Sequence, residues 1–283
     1  MLGEAVGTAL NSEVTVCRHI QGDKFHDQFR VELADGRQVF AKTNRAGTFE
    51  GFLFEAASLE WLGSANAVPV PEVLAVNKAE PGFLILQWIE EGRGSSEGDE
   101  ALGRSLARLH TAGAPGFGRE DSGTTIDQPL PNRICDSWAE FYASCRLEPL
   151  AQQARDSEAL PRKALAGIDR IISRVDLLVG PKEPPARLHG DLWAGNRVVD
   201  ATGQSWLVNP CALGGDRESE LAMMRLFGGF SDACFAAYDE LFPLADGWQR
   251  RVPLYQLAPL IRHAIGSGGH YVGRVEQALL QLR

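Results

Sequence analysis

The chain of 283 residues has no run of 18 apolar residues, the length a membrane-crossing helix needs. Residues 1–11 lack the basic start and apolar stretch of a secretory leader, so a cytoplasmic location is expected. Positive charge is short as well: 28 Lys and Arg against 37 Asp and Glu leave a formal charge of −9. A protein that grips nucleic acid through its phosphates needs a basic face, which sets that class aside. The balance does not exclude a local basic pocket for nucleotide phosphates. Cysteine is sparse: Cys17, Cys135, Cys145, Cys211 and Cys234 show neither a CxxC pair nor metal spacing. Reduced thiols fit that pattern better than a disulfide framework or zinc. No internal repeat is visible. The cluster Gly266-Ser267-Gly268-Gly269 follows a helical pattern with no strand before it, so it reads as a helix break and not a phosphate loop.

What is present is ordinary for a globular protein, 44% hydrophobic and 23% charged, in a chain long enough for one large domain or two lobes. Residues 1–11 suit a short helix. Partial alternation over Glu13–Ile20 and Gln28–Leu33, with the turns Gln21-Gly22-Asp23-Lys24 and Ala34-Asp35-Gly36-Arg37, predicts antiparallel strands, and Gln38–Lys42 a third. Phe49, Phe52, Leu53, Ala56, Leu59 and Leu62 recur at helical spacing and place a helix over Thr48–Gly63. Val73–Val76 reads as a strand, and Phe83–Trp88 is apolar enough for a buried one. The polar run Glu90–Glu100 marks the boundary between lobes, with Gln87-Trp88-Ile89 as hinge: residues 1–89 and 90–283. Beyond it come an amphipathic helix over Ala101–His110, a long surface connection over 112–133, and helical stretches near 136–150, 159–179, 217–228, 232–242, 248–265 and 270–282. Pro253 and Pro259 are expected to interrupt the stretch over 248–265.

Chemistry concentrates in Arg187–Asn196. An apolar approach through Ala186 and Leu188 ends in His189-Gly190-Asp191, and Asn196 stands five positions after the Asp. Two short β-type runs follow, Arg197–Val199 and Ser205–Val208, the second ending on Asn209. An aspartate to accept a hydroxyl proton, an Asn for a metal and a second ligand at a strand end make up a phosphoryl-transfer arrangement. Lys42 at the end of a predicted strand and Glu55 in the next helix supply the pair that places nucleotide phosphates in such sites. Each piece alone is weak, since most strand-end lysines and helix glutamates face solvent. Their joint order carries the reading.

The His-Gly-Asp form resembles the small-molecule kinases of the aminoglycoside and choline kinase type. Within them the chain closely resembles the fructosamine (ketosamine-3-) kinases, through His189–Asn196 (HGDLWAGN), Leu213–Ala222 (LGGDRESELA) and Arg225–Phe230 (RLFGGF). Supporting stretches are Leu33–Gly36, Val68–Pro71 and Pro243–Trp248. The resemblance implies an α+β, two-lobed, protein-kinase-like fold, with a small antiparallel-sheet N-lobe carrying one helix and a larger, mainly helical C-lobe. It also implies ATP-dependent phosphorylation of the sugar of a ketosamine, with Mg²⁺, in the repair of glycated amines; the uncharged Asn209 at the strand end makes Mn²⁺ an alternative metal. Carried onto this chain, Asp191 is the catalytic base, and Lys42 and Glu55 hold the nucleotide phosphates. The backbone of Gln87, Trp88 and Ile89 holds adenine, and Asn196 binds the metal. Trp193 sits where a ring could cover the sugar, although a core tryptophan behind the loop reads equally well. An acidic pocket would suit the cationic amine of a ketosamine, and Asp216 is a candidate contact.

The chain departs from the family pattern at three places. Asn209, in Asn209-Pro210-Cys211, replaces the family's metal-binding Asp; the glycine-rich phosphate loop shrinks to Gln21-Gly22-Asp23; and Asp216 replaces a His. These departures keep two other classes open: a degenerate, nucleotide-binding kinase relative, and a kinase for another small alcohol or amine such as an aminoglycoside.

Overall fold

The computed structural model describes residues 2–22, 26–44, 50–78, 80, 82–120 and 130–282. The expected turn residues Asp23 and Lys24, the start of the expected helix at Thr48 and Phe49, and positions 121–129 of the long connection lie outside them.

The first part of the chain is a sheet with two helices. Helix α1 (Leu2–Leu10) leads into β1 (Val14–Gly22), β2 (His26–Leu33) and β3 (Gln38–Asn44); α2 (Glu50–Gly63), β4 (Val73–Asn77) and β5 (Phe83–Gln87) follow. All pairings are antiparallel, in the order β1-β2-β3-β5-β4. Gly36 turns β2 into β3 with φ +87, a conformation that costs glycine little. One side of the sheet buries Val31, Val39, Ala41 and Ile85 with Val6 of α1; Leu84 and Leu86 pack with Phe52, Ala56 and Leu59 of α2. Strand β5 is therefore apolar on both faces, as its unbroken hydrophobic run requires.

The second part is mainly helical: α3 (Ser96–Thr111), α4 (Trp138–Tyr142), a π-helical turn (Ala143–Leu147), α5 (Glu148–Asp156), α6 (Arg162–Ile172) and α7 (Val175–Leu178). The short strands β6 (Ala186–Leu188), β7 (Arg197–Val199), β8 (Ser205–Leu207) and β9 (Leu213–Gly215) come next. The chain ends in α8 (Arg217–Phe227), α9 (Asp232–Leu241), α10 (Trp248–Ser267) and α11 (His270–Gln281).

Two expectations change. Helix α3 begins within the polar run 90–100, because the Ser95 hydroxyl accepts from Gly98 N at 3.1 Å and Glu97 and Asp99 load the first turn with negative charge. Helix α10 runs through Pro253 and Pro259 unbroken. Each interior proline costs about 3 kcal/mol. Burial of Leu254, Leu257, Leu260 and Ile261, at roughly 1.5–3 kcal/mol each, offsets both.

The polar segment after β5 is fastened to the hairpin of β7 and β8: Gly92 N donates to Val199 O at 2.8 Å and Ala201 N to Glu90 O at 3.1 Å. Leu62 and Val68 share one buried cluster with Leu102, Leu106, Leu207 and Tyr238, so a core runs across both parts.

Candidate active site

Strand β6 delivers His189-Gly190-Asp191 into a turn that only glycine permits at its centre. Gly190 has φ +84, and a Cβ there would lie 2.0 Å from Cys211 O. His189 is fully buried; its Nε2 lies 2.9 Å from Val208 O and its Nδ1 lies 3.3 Å from Asp191 N. A carbonyl only accepts and a backbone N–H only donates, so the ring is the Nε2–H tautomer. Burial lowers the His189 pKa against the pull of the Glu220 charge, which keeps the ring neutral.

The turn hangs on Glu220 of α8. One carboxylate oxygen accepts from His189 N at 3.1 Å and lies 3.0 Å from His110 Nε2; the other accepts from Gly190 N at 2.7 Å. His110 Nδ1 in turn lies 2.8 Å from the Tyr238 hydroxyl. Burial pushes the Glu220 carboxyl up, but the hydrogen bond and charge of His110 and the Gly190 N–H outweigh it and hold the group ionised. Glu220 lies within the Leu213–Ala222 stretch that carries the family resemblance, but nothing in the sequence assigns this role to it or to His110.

From Asp191 a hydrogen-bonded run crosses to the sheet. Asn196 Nδ2 donates to the Asp191 backbone oxygen at 2.7 Å and to its Oδ2 at 3.1 Å. Asn209 Nδ2 donates to Asn196 Oδ1 at 3.0 Å, and Lys42 Nζ donates to Asn209 Oδ1 at 2.5 Å and to Glu55 Oε1 at 2.6 Å. Asn209 sits at φ +54, a left-handed conformation that Asn tolerates better than most residues. Strand β3, helix α2, the short helical turn Ala194–Asn196 and the end of β8 thus converge on one line from Glu55 to Asp191. The sequence-predicted Lys42, Glu55, Asn196, Asn209 and Asp191 all lie on it.

Beside Asp191 lies a cavity of about 590 Å³, lined among others by Trp193, Glu220, Tyr255, Arg146 and Arg262. Trp193 is 39% exposed, with its ring 6.0 Å from Phe227 edge-on. It is a cavity wall and not a core residue. Gly195 makes room for it: a Cβ there would lie 2.3 Å from the Trp193 ring. Gln87 ends β5, with its N–H on Glu72 O at 2.9 Å; Trp88 Nε1 donates to Glu90 at 2.9 Å, and Ile89 is half-buried just after.

Asp216 is placed differently from the others. Its carboxylate caps α8 by accepting from Glu218 N at 2.8 Å and accepts from the Tyr255 hydroxyl at 2.6 Å. Among the described residues lining the cavity, Tyr255 is present and Asp216 is not. Burial pushes the Asp216 carboxyl up from its ordinary 3.8 to about 6, with the Tyr255 hydrogen bond pulling down and the Glu218 charge adding to the rise. A folded value above the unfolded one means stability that is full below about pH 4 and lost as pH rises through 6. Asp216→Asn keeps a good helix cap without the charge. It is expected to raise the thermal midpoint at pH 7 by roughly 2–6 °C, with the gain vanishing near pH 4. A gain of the same size at both pH values would show that charge burial is not the cause.

Comparison with known proteins agrees over the full length. The fructosamine kinase family model matches residues 3–283. A probable ketoamine kinase of Synechocystis is 36% identical over 88% of this chain and 84% of that protein. The crystal structure of a candidate fructosamine-3-kinase from Thermobifida fusca superposes with a TM-score of 0.92 at 36% identity, covering 100% of this chain and 98% of that one. The choline kinase LicA of Streptococcus pneumoniae, at 14% identity and a TM-score of 0.65 over 99% of this chain and 97% of its own, shares the two-lobed kinase-like fold. The chain belongs to the fructosamine kinase family.

Proposed function

We propose that this protein is an ATP-dependent kinase that phosphorylates a sugar hydroxyl of a small ketosamine. The observation that carries the reading is the run Glu55–Lys42–Asn209–Asn196–Asp191, which ends at a cavity sized for a small molecule. In this reading Asp191 accepts the acceptor hydroxyl's proton, Lys42 held by Glu55 places the nucleotide phosphates, and the Gln87–Ile89 backbone holds adenine. Trp193 offers its exposed ring to the sugar. The lobe boundary at 89/90 and a cytoplasmic setting belong to the same reading; no helix of the described residues is long and apolar enough to cross a membrane.

A divalent cation is tested by the donor set. Asn196 and Asn209 offer amide oxygens, an oxygen-only set that suits Mg²⁺. Among the described residues no group of three or more His, Cys, Asp or Glu could hold a metal. Asn196 and Asn209 would therefore hold the ion mainly by geometry, with the nucleotide phosphates supplying the charge. When bound, the ion neutralises charge on the β- and γ-phosphates.

Asn209 also favours a second reading, a nucleotide-binding protein with little or no transfer activity. One experiment separates them: metal titrations of ketosamine phosphorylation and of ATP binding by calorimetry, in wild type and Asn209→Asp. The kinase reading expects a slow wild-type enzyme that needs high Mg²⁺ or works better with Mn²⁺, and an Asn209→Asp variant that binds ATP more tightly and turns over faster at low metal. Saturation of both proteins at the same low Mg²⁺ removes the weakened-site idea. ATP binding without transfer to any ketosamine or other small alcohol puts the second reading first.

A further inference from the structure

The cavity beside Asp191 carries positive charge that phosphoryl transfer, as read above, does not use. Arg146 stands on the π-helical turn between α4 and α5, a local geometry that recurs at functional sites. Its guanidinium donates to Pro131 O at 2.8 Å, to Cys145 O at 2.9 Å and to Asn132 Oδ1 at 2.9 Å, and lies 4.6 Å over the Phe141 ring. All three acceptors are neutral, and among the described residues it meets no carboxylate. Burial pushes its pKa down to about 10, and Arg262 is among the charges that push the same way. Arg262 reaches the same cavity from α10.

A half-buried guanidinium whose hydrogen bonds go only to carbonyl oxygens keeps its charge at a desolvation cost. Fastening residues 131 and 132 to the π turn accounts for two of its hydrogen bonds, and the third stays within the turn, on Cys145 O. It does not account for a second arginine on the same cavity. Two guanidinium cations lining a cavity of this size match an anionic oxygen group.

We propose that the acceptor carries an anionic oxygen group, a carboxylate or a phosphate, away from the hydroxyl to be phosphorylated, and that Arg262 and Arg146 receive it. The proposal deepens the ketosamine kinase reading and rests on it. Two sources would supply such a group. A glycated free amino acid retains its α-carboxylate beside the new secondary amine. A glycation product of a sugar phosphate carries the phosphate at the sugar's far end. A lysine inside a protein glycated by an unphosphorylated sugar has neither close by, because its carboxyl is tied up in a peptide bond.

The test uses the full-length protein with Mg-ATP and two matched pairs of ketosamines. One pair is fructosyl-glycine against fructosyl-glycinamide; the other is fructosyl-methylamine with and without a 6-phosphate. At least one anionic member is expected to exceed its neutral partner about tenfold or more in kcat/KM, chiefly through KM, and the pair that responds identifies the source. Arg262→Glu should bring that ratio to one or below, and Arg146→Lys, which keeps the charge but not the fork, should lower it in part. A ratio near one for both pairs, or a ratio that Arg262→Glu leaves unchanged, overturns the proposal while ketosamine phosphorylation stands. Calorimetric binding of the same four compounds separates the opposite case. Tighter binding of the anionic member that Arg262→Glu abolishes, without phosphorylation of any ketosamine, keeps the anion subsite and removes the kinase reading.

Discussion

Replacing Asp191 by Asn is expected to cut turnover by roughly 10²–10⁴-fold, the usual contribution of a positioned general base, while ATP binding changes little. The substitution is nearly isosteric, and Asn196 Nδ2, now 3.1 Å from Asp191 Oδ2, would still find an oxygen within reach. What is lost is the capacity to accept a proton. The split between turnover and binding is the informative part, because Lys42 and Glu55, which are read as placing the phosphates, sit at the other end of the hydrogen-bonded run. Steady-state kinetics with a ketosamine, beside calorimetric titration with ATP, checks both halves. Turnover equal to wild type would mean that another group takes the proton. A loss of ATP affinity as large as the loss of turnover would mean that Asp191 acts on the nucleotide and not on the acceptor.

The parts of this site that the sequence exposes are those whose chemistry is local. His189, Gly190, Asp191 and Asn196 fall within eight residues, and the tight turn demands a glycine at one fixed place. Lys42 and Glu55 are readable because a strand end and a helical period set their order, although only the folded sheet shows the 2.6 Å contact. Asn209 is found by its position at the end of a short apolar run. Long-range groups leave no such mark. Glu220 lies 31 residues from His189 and 110 from His110, and nothing nearby in sequence marks it as buried. Arg146 and Arg262 each look like the polar face of a helix until α10 and the π turn are packed around one cavity. Asp216 is the converse: its charge suits the cationic amine of a ketosamine, yet its local chemistry is that of a helix cap.

The same contrast governs element boundaries. A run as polar as Glu90–Glu100 reads as linker by composition, but Ser95, Glu97 and Asp99 are residues that start a helix. Composition averages over the very positions that cap geometry singles out. The prolines of α10 mislead for a different reason. Propensity is a local cost of a few kcal/mol, and the burial that outweighs it becomes visible only once α10 lies against α8 and α11.

Glu220→Ala is expected to be the most damaging single change outside the reacting groups. The carboxylate receives the N–H groups of His189 and Gly190 and bonds His110, and it is buried and ionised. Its removal leaves two backbone donors and a histidine in the interior without their acceptor. Each buried orphan costs about 1–3 kcal/mol, and breaking a buried charged network typically costs about 3–5 kcal/mol in all. For a chain of this size that corresponds to a fall of roughly 6–20 °C in thermal midpoint. Activity should fall further than stability alone explains, because the turn that aims Asp191 loses its anchor and a displacement of about 1 Å can cost on the order of 10²-fold. Glu220→Gln separates the two effects. It fills the space and offers one acceptor, so it should recover part of the midpoint, while its amide N–H₂ opposes a backbone or imidazole donor and leaves the turn displaced. Measured at a temperature where both variants stay folded, turnover should remain at least tenfold below wild type in each. A Glu220→Ala protein that melts within about 2 °C of wild type, or a folded Glu220→Gln protein with full turnover, would show that the turn carrying Asp191 is held by something other than this carboxylate.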